Sequence, residues 1–204
     1  MTHTRMKGTI AAVLVLWAAL QGLDARSAGR PDAPVTVYEM SDFQCPYCRS
    51  FALTTLPLLE REYVAPGKVR LVFINLPLPN LHPNATAAAQ AALCAARQNK
   101  FWALHDLLFR HQDDWANLSQ PTPYFLALGD SAGLDRGRFA TCVRTGATAA
   151  EVRADAESAR RSGAQSTPTF YIEGGLLEGA APIEVFRAVL DSIYRGKTRP
   201  PPPG

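Results

Sequence analysis

The chain has 204 residues, 47% of them hydrophobic, and a formal net charge of +3, which suits one packed domain and excludes a disordered one. Residues 1–27 carry Arg5, Lys7 and Arg26 against Asp24, so removing three of 21 basic and one of 18 acidic residues leaves +1. A near-neutral surface of mixed sign gives no electrostatic case for nucleic acid.

Met1 to Gly22 has the pattern of an export signal: Arg5 and Lys7, then the apolar run Thr9 to Leu20, then small residues. Ala25-Arg26-Ser27-Ala28 offers a small-x-small cleavage region. This assigns 1–27 to a signal peptide and 28–204 to a single exported domain, periplasmic or otherwise extracytoplasmic. The run falls well short of the ~20 apolar residues that span a bilayer, which leaves anchoring by an uncleaved signal as the alternative. All four cysteines, 45, 48, 94 and 142, follow this segment. An even count in an exported chain reads as two disulfides. The 45/48 spacing singles out one pair and leaves Cys94 with Cys142 as a structural disulfide, with two buried thiols or a second catalytic relay as alternatives.

In chain order, Val35 to Met40 reads as a buried strand, broken by Ser41-Asp42-Phe43-Gln44. A helix then begins at Cys45-Pro46-Tyr47-Cys48 and runs to about Tyr63, kinked or split by Pro57. Pro66-Gly67 turns the chain into a second strand, Val69 to Leu76, and strand-helix-strand favours a parallel pair. From about 82 to 163 the pattern is helical throughout: Asn84 to Gln98, Lys100 to Gln112, Tyr124 to Gly133, Asp135 to Thr145 and Thr148 to Ser162. Gly129, Gly133 and Gly146 read as helix stops. Thr169 to Ile172 and Leu176 to Glu178 flank Gly174-Gly175 as a β-hairpin, Ile183 to Tyr194 is a last amphipathic helix, and a proline-rich tail over about 196–204 reads as disordered. The fold class is α/β: a βαβ and ββα frame around an all-helical insertion.

Two cysteines three apart at a helix start can close a small disulfide ring. The first sulfur then sits by unpaired N–H groups and the positive helix pole. That environment favours its thiolate, drawing the pKa from ~8.5 into ~3.5–7.5, and a stabilised thiolate makes the disulfide a better oxidant. Pro46 suits the helix's first turn. Zinc needs four ligands, and neither a second Cys-x-x-Cys nor two histidines on one helix face supply them, so no metal and no cofactor are expected. Phe101, Trp102, Leu104, Leu107 and Leu108 read as core rather than as a ligand box.

SDFQCPYC after VTVYEM, KFWALHDLLF after an alanine-rich helix, STPTFYIEGG and the closing helix resemble the DsbA-like thiol–disulfide oxidoreductases of bacterial envelopes, from about Pro31 to Tyr194. The resemblance implies a thioredoxin-like fold with a helical insertion, and a cis Thr167-Pro168 facing the active cysteines. It also places an acid, Glu39, beneath them, with a strand-edge glutamate facing solvent as the alternative. Cys45, Cys48, Pro168 and Glu39 are then the catalytic residues, and Pro46, Tyr47 and Thr167 the client contacts, Thr167 through its backbone. Implied partners are reduced client proteins with free cysteines and a quinone-linked membrane oxidase for reoxidation. Family isomerases carry an N-terminal dimerisation domain, so a monomeric oxidase is expected. The alternatives are a reductase or isomerase of the same fold, and a non-catalytic chaperone-like module.

Overall fold

Five strands form one mixed sheet in the computed structural model, which describes residues 25–198. Residues 1–24 and 199–204, where most of the expected signal and of the proline tail fall, lie outside the described residues. At the centre, β2 (Val35–Ser41) and β3 (Val69–Asn75) run in parallel, with Glu39 opposite Phe73 and Ser41 opposite Asn75. β4 (Thr169–Ile172) pairs antiparallel with β2, and β5 (Gly175–Glu178) with β4. β1, the two residues Ser27–Ala28, runs antiparallel on the far edge of β3, giving the order β1-β3-β2-β4-β5. Nothing in Ser-Ala announces a strand; the register with Val72 and Leu71 makes it one.

The helix that follows the cysteines, α1, occupies 46–64. α-turns over Pro46–Ser50 and Leu56–Leu59 alternate with π-turns over Phe51–Thr55 and Glu60–Val64. The Leu56 N–H donates to the Phe51 carbonyl, five residues back, just ahead of Pro57, which has no N–H to give. The wider turn absorbs the ring that would otherwise crowd the preceding carbonyl, so the helix continues where a kink or split was expected.

The insertion comprises α2 (Ala85–Ala96), α3 (Phe101–Arg110), α4 (Gln112–Trp115), α5 (Thr122–Ser131), α6 (Arg136–Arg144) and α7 (Ala149–Arg161). The Lys100–Gln112 helix expected as one piece breaks at His111, whose φ of −101° and ψ of 20° leave the helical region. Gly129 lies inside α5 instead of ending it, because a Cβ there would meet the Phe139 ring of α6 at 2.4 Å. Gly133 and Gly146, at φ 71° and 62°, do follow helix ends. The last helix, α8 (Ile183–Thr198), continues past the expected Tyr194.

Helices cover both faces of the sheet, which is why β2 and β3 are apolar on both sides. On one face Val37, Leu71, Phe170 and Ile172 pack against α1 and α8. On the other, Met40, Val72 and Ile74 meet Ala156 and Ala159 of α7. A third cluster joins Phe43 and Phe73 to α2 and α3, and its aromatic rings enclose the buried His105. The frame with an all-helical insertion is the one expected from the sequence.

A disulfide joins Cys94 of α2 to Cys142 of α6, 48 residues apart and with Cα atoms 5.8 Å apart. Closing a loop of that length lowers the entropy of the unfolded chain by about 4 kcal/mol. A Cys94→Ala/Cys142→Ala protein is expected to melt ~8–16 °C lower in a thermal scan under oxidising conditions.

Candidate active site

The loop from Ser41 to Cys45 leaves the buried end of β2 and delivers two sulfurs into unlike surroundings. Cys45 is the N-cap of α1, with extended φ of −72° and ψ of 126°, and Pro46 follows at the first helical position. Its carbonyl accepts from the Arg49 N–H at 3.1 Å, so the helix starts on it. Cys48 lies one turn on and is fully buried, whereas Tyr47 between them is 67% exposed. Pro46 is exposed as well. Both cysteines are free thiols in this structure.

Their acidities diverge for separate physical reasons. The Cys45 sulfur is drawn down to about 6, chiefly by the hydrogen bond from the Cys48 thiol. The Thr167 side chain and the N–H groups of Cys48 and Tyr47 add to this against a burial cost. Those N–H groups are the unpaired donors of a helix N-terminus. The Cys48 thiol is pushed well above its ordinary value, first by burial and then by its neighbour Cys45. Only the Asp42 N–H, 3.5 Å from its sulfur, and the Ser41 side chain oppose that rise.

The turn before β4 completes the front of the site. The Thr167-Pro168 bond is cis, and the Cys45 thiol donates to the Thr167 carbonyl at 3.4 Å. Two further hydrogen bonds fix this turn, from Thr169 Oγ1 to the Ser166 carbonyl at 2.7 Å and from the Gly179 N–H to the Pro168 carbonyl at 2.8 Å. Glu39 is fully buried on β2 with no hydrogen-bond partner for either oxygen, and the Ser41 side chain acts on both it and Cys48. Burial pushes its carboxyl up to about 8, with Glu60 adding to the rise and the nearby Ser41 hydroxyl opposing it. Glu39 and Ser41 share one face of the strand because they are two residues apart.

The structure thus brings Cys45, Cys48, Thr167 and Pro168 together, with Pro46 and Tyr47 on the exposed rim, while Glu39 is buried in β2 between Phe73 and Phe170 of the neighbouring strands. Cys94 and Cys142 belong to the insertion and not to this site. Three residues at the site carry no signal in the sequence. Asp42 appears there only as a strand breaker, yet its carboxylate organises the loop. Gln112 of α4 donates its side-chain N–H to the carbonyls of Phe43 at 2.7 Å and Cys45 at 3.1 Å. Gln44 in turn donates to the Ala116 carbonyl and accepts from the Asn84 N–H, tying the loop to the start of the insertion and to the residue after α4. Such contacts over some seventy residues leave no local pattern to read.

A cavity of about 1100 Å³, lined by Arg26, Tyr38, Met40, Asp155 and Tyr171 among others, opens on the opposite face of the sheet and holds neither cysteine. Among the described residues, no group of three His, Cys, Asp or Glu side chains could hold a metal ion.

Residues 23–192 match the family model described as Thioredoxin. The chain belongs to the thioredoxin family. It is 32% identical to a Bacillus anthracis protein named "Probable disulfide bond formation protein D", over 74% of this chain and 70% of that one. Among solved structures, oxidised BdbD of Bacillus subtilis superposes with a TM-score of 0.78 at 23% identity, covering 87% of this chain and 95% of that one. These matches bear out the DsbA-like resemblance and the fold expected from it. A Na+/H+ antiporter of Salinispora tropica is 36% identical over 81% of this chain, but the chain spans only 24% of that protein's length.

The divergence of the two sulfurs has a direct readout. In the reduced protein, thiolate absorbance near 240 nm should rise with a midpoint close to pH 6 for Cys45. Iodoacetamide at pH 7 should label Cys45 and spare Cys48. A single midpoint above 8 would contradict this electrostatic account.

Proposed function

We propose that this chain is an exported thiol–disulfide oxidoreductase that introduces disulfides into client proteins through Cys45 and Cys48. The observation that carries the reading is the placing of Cys45 as the cap of α1 against the cis Thr167-Pro168 turn, with a fully buried Cys48 one turn on. A client thiolate attacks Cys45 of the oxidised pair, and Cys48 leaves. A second client thiolate then attacks the client sulfur of the mixed disulfide, which frees an oxidised client and the Cys45 thiolate. Thr167 offers backbone to an extended client segment beside Pro46 and Tyr47, and Pro168 shapes that surface. Return to the disulfide requires an outside oxidant, in this reading a quinone-linked membrane protein.

Glu39 serves as the proton store. With a carboxyl at about 8, it is protonated at neutral pH and can give its proton to the departing Cys48 sulfur, whose own proton affinity is high. The oxidising direction follows from the stabilised Cys45 thiolate, since it favours the reduced protein. Because about 6 lies between the ~7 of thioredoxin and the ~3.5 of DsbA, the potential is expected between ~−270 and ~−120 mV. A glutathione equilibrium measures it, and a value below thioredoxin's would move the assignment to reductase. Cys45→Ser should abolish oxidative refolding of a reduced client; refolding at full rate would return the chain to the chaperone-like alternative.

Replacing Glu39 by Gln separates stability from catalysis. A carboxyl whose folded value is raised to about 8 destabilises the fold progressively as pH climbs from its unfolded ~4.3. Glu39→Gln should therefore raise stability at pH 7 by up to roughly 3 kcal/mol and slow client oxidation by ~10- to 100-fold. The wild-type rate should fall as pH rises through about 8, and the variant's should not.

The envelope location rests on the leader, whose boundary the fold bears on. Arg26 pairs through both guanidinium nitrogens with Asp155 in a buried site, and Asp155 also accepts from the Asn75 backbone and side chain. The Ser27 carbonyl accepts from the Trp102 indole at 3.1 Å. A cut before Ala28 would remove both residues and leave a buried carboxylate without its cation, a change that costs about 3–5 kcal/mol. In this reading the working protein keeps Arg26 together with Ala25, which packs against the core, so processing falls before Ala25. The intact mass of protein recovered from the envelope should begin at or ahead of Ala25, and a first residue of Ala28 or later would refute this boundary.

A further inference from the structure

We propose that Asp42 is a positioning residue for the redox step, holding its own backbone N–H against the sulfur of Cys48, the leaving group when a client attacks Cys45. The inference rests on the thiol–disulfide reading above and assigns a task within it. The Asp42 side chain is entirely shielded from solvent, yet every direction around its carboxylate is occupied. Oδ1 accepts the Gln44 N–H at 2.8 Å, and Oδ2 accepts the Leu78 N–H at 2.9 Å and faces His82 Nδ1 at 2.9 Å. These contacts clamp the loop after β2 to the loop after β3. The main chain of the same residue then touches both cysteines. Its carbonyl accepts the Cys45 N–H at 3.1 Å, and its N–H points at Cys48 Sγ, 3.5 Å away.

The chemistry asks for a donor at that point. As a client thiolate bonds to Cys45 Sγ, the Cys45–Cys48 bond breaks and its electron pair moves to Cys48 Sγ. The client sulfur is oxidised to the mixed disulfide, and the Cys48 sulfur is reduced. Negative charge develops on a sulfur that no water reaches, where a preorganised N–H donor stabilises it far more than in solvent. The same N–H still lies 3.5 Å from the Cys48 sulfur in the reduced protein, so it favours the reduced state as well as the step that leads to it. Asp42→Asn tests the clamp with little change in size. The amide has one accepting oxygen, so its NH2 must face either the Gln44 or the Leu78 N–H, donor against donor.

The full chain carrying Asp42→Asn, His82→Gln or His82→Phe would be compared in three measurements: the glutathione equilibrium, the single-turnover rate of client oxidation, and the Cys45 thiolate titration. Asp42→Asn should slow the first attack about tenfold and shift the equilibrium about tenfold toward the disulfide, or ~30 mV. Its Cys45 midpoint should stay near about 6, because Asp42 is not among the groups that set it. His82→Gln keeps an N–H for Oδ2 and should stay close to wild type, whereas His82→Phe should shift part of the way. A folded Asp42→Asn protein with wild-type rate and equilibrium would overturn the proposal, as would a Cys45 midpoint that moves with the potential. Should that variant fail to fold, a wild-type equilibrium in His82→Phe overturns it. Failure of the enzyme reading looks different: the wild-type chain would then oxidise no client, while its glutathione equilibrium would still report on Asp42.

Discussion

The first N–H groups of a helix have no acceptor within the helix, and this protein places a sulfur where they point. Much of the molecule serves that placement. Cys45 must be extended to cap α1, so the chain has to leave β2 and turn within Ser41–Gln44. The turn is built from polar groups in a buried place. Each of them needs a partner, because an unmet buried donor or acceptor costs about 1–3 kcal/mol. Asp42 meets the N–H groups of Gln44 and Leu78, while Gln112 reaches the loop from the insertion and Gln44 reaches back to it. The insertion thus fixes the loop that aims the cysteines as well as adding core.

This dependence explains how the two layers of the molecule are joined. α2, α3 and α5 pack around Phe43 and Phe73 with the rings of Phe101 and Phe109, so the apolar residue at the centre of the turn is itself a core residue. The Cys94–Cys142 bridge restrains the insertion from the far side. A shift of α4 against the sheet would be felt first at the carbonyls of Phe43 and Cys45, both held by Gln112.

The parts of this arrangement that were legible in the sequence are those carried by local pattern. β-branched runs marked β2 and β3, and the four-residue motif with proline at its second place marked the helix start. The β-hairpin announced itself through Gly174-Gly175. What escaped was whatever depends on distant partners. Asp42 and Gln112 are ordinary polar residues until the fold sets them beside backbone groups. Ser27–Ala28 becomes a strand only because β3 has a free edge there. Gly129 read as a helix stop, because no local feature reveals that a phenylalanine ten residues on needs its missing side chain. The split expected at Pro57 failed for a related reason. Proline forbids one hydrogen bond, and the chain met that constraint by widening a turn.

Glu39 is the residue that stability alone does not account for. It occupies an interior position of a central strand, between Phe73 and Phe170 on the neighbouring strands, where valine or isoleucine would suit both pleat and core. Neither oxygen is hydrogen-bonded, and burial holds the carboxyl protonated at neutral pH, so the fold carries an uncompensated polar group at its centre. An apolar side chain would remove that cost and also the proton that the carboxyl holds. The Ser41 hydroxyl, equally buried and without a full hydrogen bond, stands on the same face of the strand two residues nearer the cysteines. Under the proposed function both residues have a use, because Cys48 would alternate between a bonded sulfur and a protonated thiol while fully buried.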